Sequence, residues 1–178
     1  MALIRRAVLI GVASLVALTG AVADAKRKPP YRTGCQLVTT PEVSSIMGRR
    51  MNRVSNDPGG CGWRGGPKDQ AGYSVTGFKT VAAAKEYLQG GPVSSYELCI
   101  DPPDKYLPGS GLGNEAWLDS CNANVALRLR TVVIEVVTTT EDVKEGSPAD
   151  GRRTAAIARK AVKRMRKLRC PPSFCRGT

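Results

Sequence analysis

The stretch VALRLRTVVIEVV, residues 125–137, decides the fold class of this chain. Val125, Leu127 and Leu129 alternate with smaller or charged residues, which is the period of a half-buried strand, and a run rich in β-branched residues follows. The direction of the chain changes near Arg130-Thr131, where glycine is absent, so the turn chemistry is weaker than in most tight hairpins. The stretch therefore predicts two antiparallel strands joined at that point.

The longest helix is predicted after this hairpin. Its apolar side chains recur at helical spacing, and they are Ile157, Ala158, Ala161, Val162, Met165 and Leu168. Nine lysines and arginines lie between Arg152 and Arg169. This pattern predicts a helix with one face on the sheet and a cationic face in solvent. Cys170 and Cys175 then enclose two prolines, which predicts a small disulfide-closed cap where the helix cannot continue.

Two shorter helices are predicted in the N-terminal half. The first helix is predicted to have Thr40 as its N-cap and Pro41 at its first position, and to end at Gly48. A second helix is predicted over residues 81–89, with Thr80 as its N-cap and glycines at its end.

Alternating strand patterns complete the sheet. They occur at Cys61-Gly-Trp63, Tyr73–Gly77, Tyr96–Asp101 and within the β-rich region Ala116–Thr140. The predicted fold is α+β: an antiparallel sheet of about five strands with two short helices and a long amphipathic basic C-terminal helix, stapled by disulfides. Trp63 and Trp117 are predicted to lie in the core, because a large ring contributes extensive burial.

The first residues have the order of a secretory signal peptide. Arg5 and Arg6 precede an apolar run over residues 7–18, and small residues favour cleavage after Ala23 or Ala25. The run is shorter than the ~20 apolar residues that a transmembrane helix needs. The pattern therefore predicts an exported protein.

Three segments follow from these signals. Residues 1–25 are predicted to be the signal peptide, residues 26–34 a basic extended tail, and residues 35–178 one domain that ends in the cysteine-closed cap. Because no cysteine ends the apolar run, the mature protein is predicted to be secreted or extracytoplasmic, not lipidated, and without a transmembrane segment.

Six cysteines follow the predicted leader: Cys35, Cys61, Cys99, Cys121, Cys170 and Cys175. An even number of cysteines in an exported chain favours disulfides. Six cysteines allow 15 connectivities, and the residues alone do not choose among them. Pairing in neighbour order is our working hypothesis. The chain contains no histidine and no CxxC pair, so no metal site is predicted.

Several short motifs resemble an actinobacterial family of secreted proteins and lipoproteins whose shared domain has no assigned function. The motifs are CQLVTTPEV from Cys35, IMG from Ile46, CGW from Cys61 and GLGNEA from Gly111, followed by an alternating strand and a terminal helix. The resemblance covers roughly residues 33–169. It implies an α+β fold, a disulfide between Cys35 and Cys61 and a location in the cell envelope, and it implies no activity. Unlike many members, this chain lacks a lipidated cysteine, and it has extra cysteines at its end.

No catalytic or cofactor-binding residue is predicted. The glycines over residues 109–113 match neither GxGxxG nor a P-loop, and the serines lack a histidine base, an SxxK sequence or a GxSxG elbow. Carboxylates occur as Glu141-Asp142 and as Asp101 with Asp104, and Glu115 stands apart from both pairs. Paired acids serve glycoside hydrolysis, but both pairs fall in predicted turns and are interpreted as solvated loop charges.

The sequence therefore predicts a non-enzymatic binding module of the cell envelope. The formal net charge of +12 favours an anionic partner, such as acidic lipid, a wall polymer or a glycan, or another envelope protein; nucleic acid is less favoured. Residues predicted to contact the anionic surface are Lys163, Arg164, Arg166 and Lys167. A secreted hydrolase using paired carboxylates and a secreted inhibitor or effector are the alternatives.

Overall fold

The computed structural model describes residues 34–93, 104–105, 110–119, 123–140 and 148–168. The helices are α1 (Thr40–Met47), α2 (Val81–Leu88) and α3 (Pro148–Met165), with a 3-10 turn at Gly34–Gln36 and a π turn at Gln89–Val93. The strands are β1 (Asn52–Asp57), β2 (Gly60–Arg64), β3 (Gln70–Gly77), β4 (Asp104–Lys105), β5 (Glu115–Asp119), β6 (Asn124–Leu129) and β7 (Val132–Thr139).

These strands form one antiparallel sheet in the order β1-β2-β3-β7-β6-β5-β4. The predicted α+β class is confirmed. The prediction of about five strands is too low, because the described sheet has six strands of at least five residues and the two-residue β4. Among the strands of at least five residues, the one that the sequence pattern missed is β1, whose six residues are all exposed. A fully exposed edge strand carries no hydrophobic alternation, so periodicity does not reveal it.

The predicted hairpin is confirmed at the centre of the sheet. Leu129 pairs with Val132 across the two-residue loop Arg130-Thr131. Arg130 adopts φ +57°, a conformation that glycine adopts at much lower cost. Packing on both sides of the hairpin, and not the turn residue, therefore fixes the connection.

Helices cover both faces of the sheet. On the first face, Leu127 and Ile134 pack in one cluster with Ile157 and Ala161 of α3, all completely buried. On the second face, Ala126 and Val133 pack with residues of α2 in a smaller cluster. The alternation of β6 and β7 thus supplies two apolar layers, which explains why β6 is almost wholly buried and β7 mostly so.

The short helices begin and end close to the predicted positions. The N-cap of α1 is Thr39, one residue before the predicted Thr40, and Glu42 accepts a hydrogen bond from the Thr39 N–H at 3.0 Å. Gly48 ends the helix at φ +71°, as predicted. In α2 the predicted cap is confirmed, since the Thr80 hydroxyl accepts from the Ala83 N–H at 3.1 Å.

A disulfide joins Cys35 to Cys61 and fixes the 3-10 turn to β2, with 5.0 Å between the two Cα atoms. Trp63 lies two residues further on, is 1% exposed and contacts the ring of Tyr73, so its predicted core position is confirmed. Trp117 is partly buried and packs against the cluster beneath α2.

Some predictions fall outside the described residues. These are the leader, most of the basic tail, the strand Tyr96–Asp101, the cap at 170–175 and the cysteines Cys99, Cys121, Cys170 and Cys175. Among the six predicted disulfide cysteines, the described pair Cys35 and Cys61 is bonded as neighbour order and the family resemblance both implied.

Candidate functional site

Exposed cations line the solvent side of α3 and the turn that follows it. They are Arg152, Arg159, Lys160, Lys163, Arg166 and Lys167, and we call them the cationic face. Helical geometry continues past the end of α3, because the Arg166 N–H donates to the Val162 carbonyl at 3.1 Å. At ~100° per residue the six cations lie within about 120° of arc, opposite the buried side of the helix.

The cationic face is dense at its C-terminal end. Five of its six members lie between residues 159 and 167, which spans about 12 Å of helix axis at 1.5 Å per residue. The single acid between residues 148 and 168 is Asp150, which is 1% exposed and bonded to Arg153 at 3.0 Å. The exposed side of the helix therefore carries only positive charge.

Arg164 differs from the other three residues predicted to contact an anionic surface. Its guanidinium donates to the two Glu42 carboxylate oxygens at 2.7 and 3.0 Å and to the Leu37 carbonyl at 3.3 Å. The Lys160 Nζ also lies 3.5 Å from a carboxylate oxygen of Glu42. Arg164 therefore has an internal partner and joins α3 to α1, whereas Lys163, Arg166 and Lys167 are exposed.

Glu42 is held as a carboxylate. Partial burial alone would raise its pKa, but hydrogen bonds from Arg164 and from the Thr39 backbone and hydroxyl outweigh that effect and lower the pKa from 4.5 to about 2. The charge of Glu42 therefore offsets part of the charge of α3 on the flank where Arg164 and Lys160 lie.

A groove lies on the second face of the sheet, beside α2, with a volume of about 600 Å³. Asp57 and Glu135 line it together with the hydroxyls of Ser55 and Ser74 and the amide of Asn124. We call it the second-face groove. Nothing in the sequence pattern pointed to it, because its residues come from five strands and become neighbours only when the sheet forms.

A smaller cavity of about 280 Å³ lies near the start of α3, lined in part by Thr138, Thr140 and Asp150. Its threonine hydroxyls and Asp150 already form hydrogen bonds within the protein. The Thr140 hydroxyl donates to Asp150 at 3.0 Å, and the Thr138 and Thr154 hydroxyls share a hydrogen bond. These bonds join β7 to α3 and give the cavity a structural role.

Most of the carboxylates considered for hydrolysis lie outside the residues whose side chains the structure describes. Asp101, Glu141 and Asp142 lie outside the described residues, and Glu115 forms an ion pair with Arg128 at 2.8 Å. Across the part of the chain that the structure describes, no group of three metal-ligating side chains occurs. None of the helices within those same ranges is long and apolar enough to cross a bilayer.

The glycine loop before β5 has a backbone role. Gly111 and Gly113 adopt φ +82° and +85°, and a Cβ at Gly113 would lie 2.5 Å from the Arg128 carbonyl. The loop buries Leu112 in the core and leads into the strand that carries Trp117. The glycines of this loop therefore provide a tight entry to the strand.

The fold and these surfaces define a disulfide-linked α+β protein with a cationic helix. No protein-family model, curated protein or solved structure matches the chain.

Proposed function

We propose that this protein is an exported, non-enzymatic binding module of the cell envelope, whose cationic face binds an anionic partner. The observation that carries the proposal is the density of charge: five exposed cations lie along about 12 Å of helix with no acid in that stretch, and one of them, Lys160, is paired with Glu42 of α1. A surface of one sign attracts anionic lipids and polymers and is screened by salt.

The packing of α3 supports this role, because it presents the cations from a rigid support. Ala158, Ala161 and Val162 are completely buried on the other side of the helix, and Arg164 fixes its C-terminal end to α1. Side chains on a rigid helix lose less entropy on binding than side chains on a loop that must first become ordered.

The energetics suit a reversible surface contact. A lysine or arginine near an anionic leaflet contributes about 1 kcal/mol, so removing three of them costs about 3 kcal/mol, or roughly 100-fold in affinity. The Cys35–Cys61 disulfide supports the exported location, because such bonds persist in oxidising compartments. Membership of the actinobacterial envelope family is part of the proposal and is carried by the motifs quoted above.

Co-sedimentation with vesicles tests the proposal. We expect binding to phosphatidylglycerol vesicles at low salt, little binding to phosphatidylcholine vesicles, and release as salt rises. The triple variant Lys163→Gln, Arg166→Gln and Lys167→Gln should lose about 100-fold in affinity. A parallel pull-down with a phosphate-bearing wall polymer distinguishes lipid from polymer as the source of the anion.

A matched control removes three exposed cations elsewhere: Arg64→Gln, Lys79→Gln and Lys85→Gln. This variant has the same net charge as the first and should keep most of the binding. Equal losses in the two variants would mean that net charge, and not the cationic face, drives binding. Binding that ignores salt would also contradict the proposal.

A further inference from the structure

We propose that the second-face groove binds a small organic diamine, with one ammonium group at Asp57 and the other at Glu135. This site lies on a different face of the sheet from the proposed anionic contact, and it would take a ligand of opposite charge.

The two carboxylates stand at the ends of one row across the sheet. Asp57 pairs with Gly60, Gly60 with Ser74, and Ser74 with Glu135. Three strand spacings of about 4.8 Å place the two ends roughly 14 Å apart. The groove between them, at about 600 Å³, has the size of a small-molecule site.

Gly72, on the floor of the groove, is a glycine that the fold itself does not need. Its φ lies outside the left-handed region, and a Cβ there would meet ordinary contacts of 3.4 Å to the Cys61 carbonyl and 3.9 Å to Gly62 and Val137. Glycine within a strand weakens it and often marks a place where a ligand approaches the backbone. The missing side chain keeps the floor of the groove open.

The groove offers hydrogen-bond acceptors and negative charge. Neither Asp57 nor Glu135 forms an ion pair with a lysine or arginine of the described residues, although the Tyr87 hydroxyl donates to Glu135 at 3.1 Å. At the groove wall, the buried amide oxygen of Asn124 has no hydrogen-bond partner within the described ranges. An alkylammonium group has three donors and no acceptor, so it matches this lining.

A sugar fits the groove less well. Carbohydrate sites present an exposed aromatic ring, and the aromatic residue that lines this groove, Tyr73, is 5% exposed, with its ring against Trp63 beneath the sheet. The middle of the groove offers glycine backbone and the half-exposed Val137, which suit an aliphatic chain.

Isothermal titration of the full chain with diaminooctane, diaminobutane and hexylamine tests the site. Only the long diamine can reach both carboxylates, so we expect it to bind at least about tenfold more tightly than the other two. Equal affinities for the three amines would overturn the proposal, because simple attraction to negative charge does not depend on chain length. Absence of binding by diaminooctane would overturn it as well.

Variants locate the binding. Asp57→Asn with Glu135→Gln should reduce the affinity for diaminooctane about tenfold or more, and Glu86→Gln, which removes an exposed carboxylate outside the groove, should leave it unchanged. A loss of the same size with Glu86→Gln would contradict the assignment.

A side chain introduced at Gly72, on the floor of the second-face groove, provides a second test. Gly72→Leu should abolish diamine binding; if it fails to fold, Gly72→Ala, which meets only ordinary contacts, should still weaken it. Full affinity in a folded Gly72→Leu protein would overturn the proposal. The cationic-face triple variant should bind the diamine unchanged, so failure of this site and failure of the envelope contact give different results.

Discussion

The Arg164 guanidinium donates two hydrogen bonds to the Glu42 carboxylate, although the two residues are 122 positions apart in the sequence. Such a bidentate pair has more geometric specificity than a single contact. Glu42 also accepts from the Thr39 N–H at the start of α1. One carboxylate therefore caps a short helix and fixes the C-terminal end of the long one.

Replacing Arg164 should destabilise the fold. We expect Arg164→Gln to lower the free energy of unfolding by about 1–2 kcal/mol, because the half-buried Glu42 loses its charged partner. Lys163→Gln is the matched control: it removes one charge from the adjacent, exposed position and should change stability by less than ~0.5 kcal/mol. Urea denaturation measures both, and equal effects would show that the ion pair contributes nothing specific.

Low pH should lower the free energy of unfolding by protonating Glu42. The pKa of Glu42 is about 2 in the folded protein against 4.5 ordinarily, so below about pH 4.5 the unfolded chain binds a proton that the folded chain does not. The contribution of Glu42 is therefore complete above that range and is lost as the pH falls toward 2. Denaturation of wild type and Glu42→Gln at a series of pH values checks this. The free energy of unfolding should fall less steeply with decreasing pH in Glu42→Gln than in the wild type. Parallel curves for the two proteins would contradict the prediction.

Local sequence patterns predicted the elements whose signals lie within a few residues. The hairpin around Arg130-Thr131, the helix ending at Gly48 and the amphipathic α3 all follow from periodicity, caps and turns. The exposed strand β1 has none of these signals. Its position is set by pairing with β2 and by the disulfide beside it, and both depend on tertiary structure.

The candidate sites were predictable to different degrees. The cationic face follows from helical spacing, since Lys163 and Lys167 lie four residues apart on one side of the helix. The internal role of Arg164 was not predictable, because Glu42 lies on a separate helix. The second-face groove was not predictable either, because a row such as Asp57, Gly60, Ser74 and Glu135 exists only after the strands have paired in register.

Replacing Gly34 and Gly72 by alanine should have different effects on the stability of the protein. A Cβ at Gly34 would overlap the backbone of Gly60, whereas a Cβ at Gly72 finds room. We expect Gly34→Ala to destabilise the protein by about 2 kcal/mol or more, because backbone must move, and Gly72→Ala to be neutral or stabilising by up to ~1 kcal/mol. Thermal melts compare the two variants. A large loss with Gly72→Ala would mean that packing does require glycine at that position.

Removing the Cys35–Cys61 disulfide should lower the free energy of unfolding, because the bond restricts the conformations of the unfolded chain. The bond between Cys35 and Cys61 closes a loop with a sequence separation of 26, for which chain entropy gives about 3–4 kcal/mol. The double variant Cys35→Ala with Cys61→Ala should show that loss in urea denaturation. A change below ~1 kcal/mol would indicate that the N-terminal turn is held by other contacts, such as the hydrogen bond from the Tyr73 hydroxyl to the Gly34 carbonyl.

The hairpin loop offers a stabilising change. Arg130 is exposed and adopts φ +57°, which costs an ordinary residue about 1 kcal/mol and costs glycine almost nothing. The loop contacts use backbone atoms: the Arg130 N–H donates to Asn114 at 2.7 Å, and its carbonyl accepts from Arg128 at 3.0 Å. Arg130→Gly keeps both bonds and should raise the free energy of unfolding by about 0.5–1 kcal/mol. Arg130→Val should lower it by more than ~1 kcal/mol, because a β-branched side chain tolerates positive φ poorly. If the two variants were equally stable, the positive φ at Arg130 would carry no strain, and the prediction would be wrong.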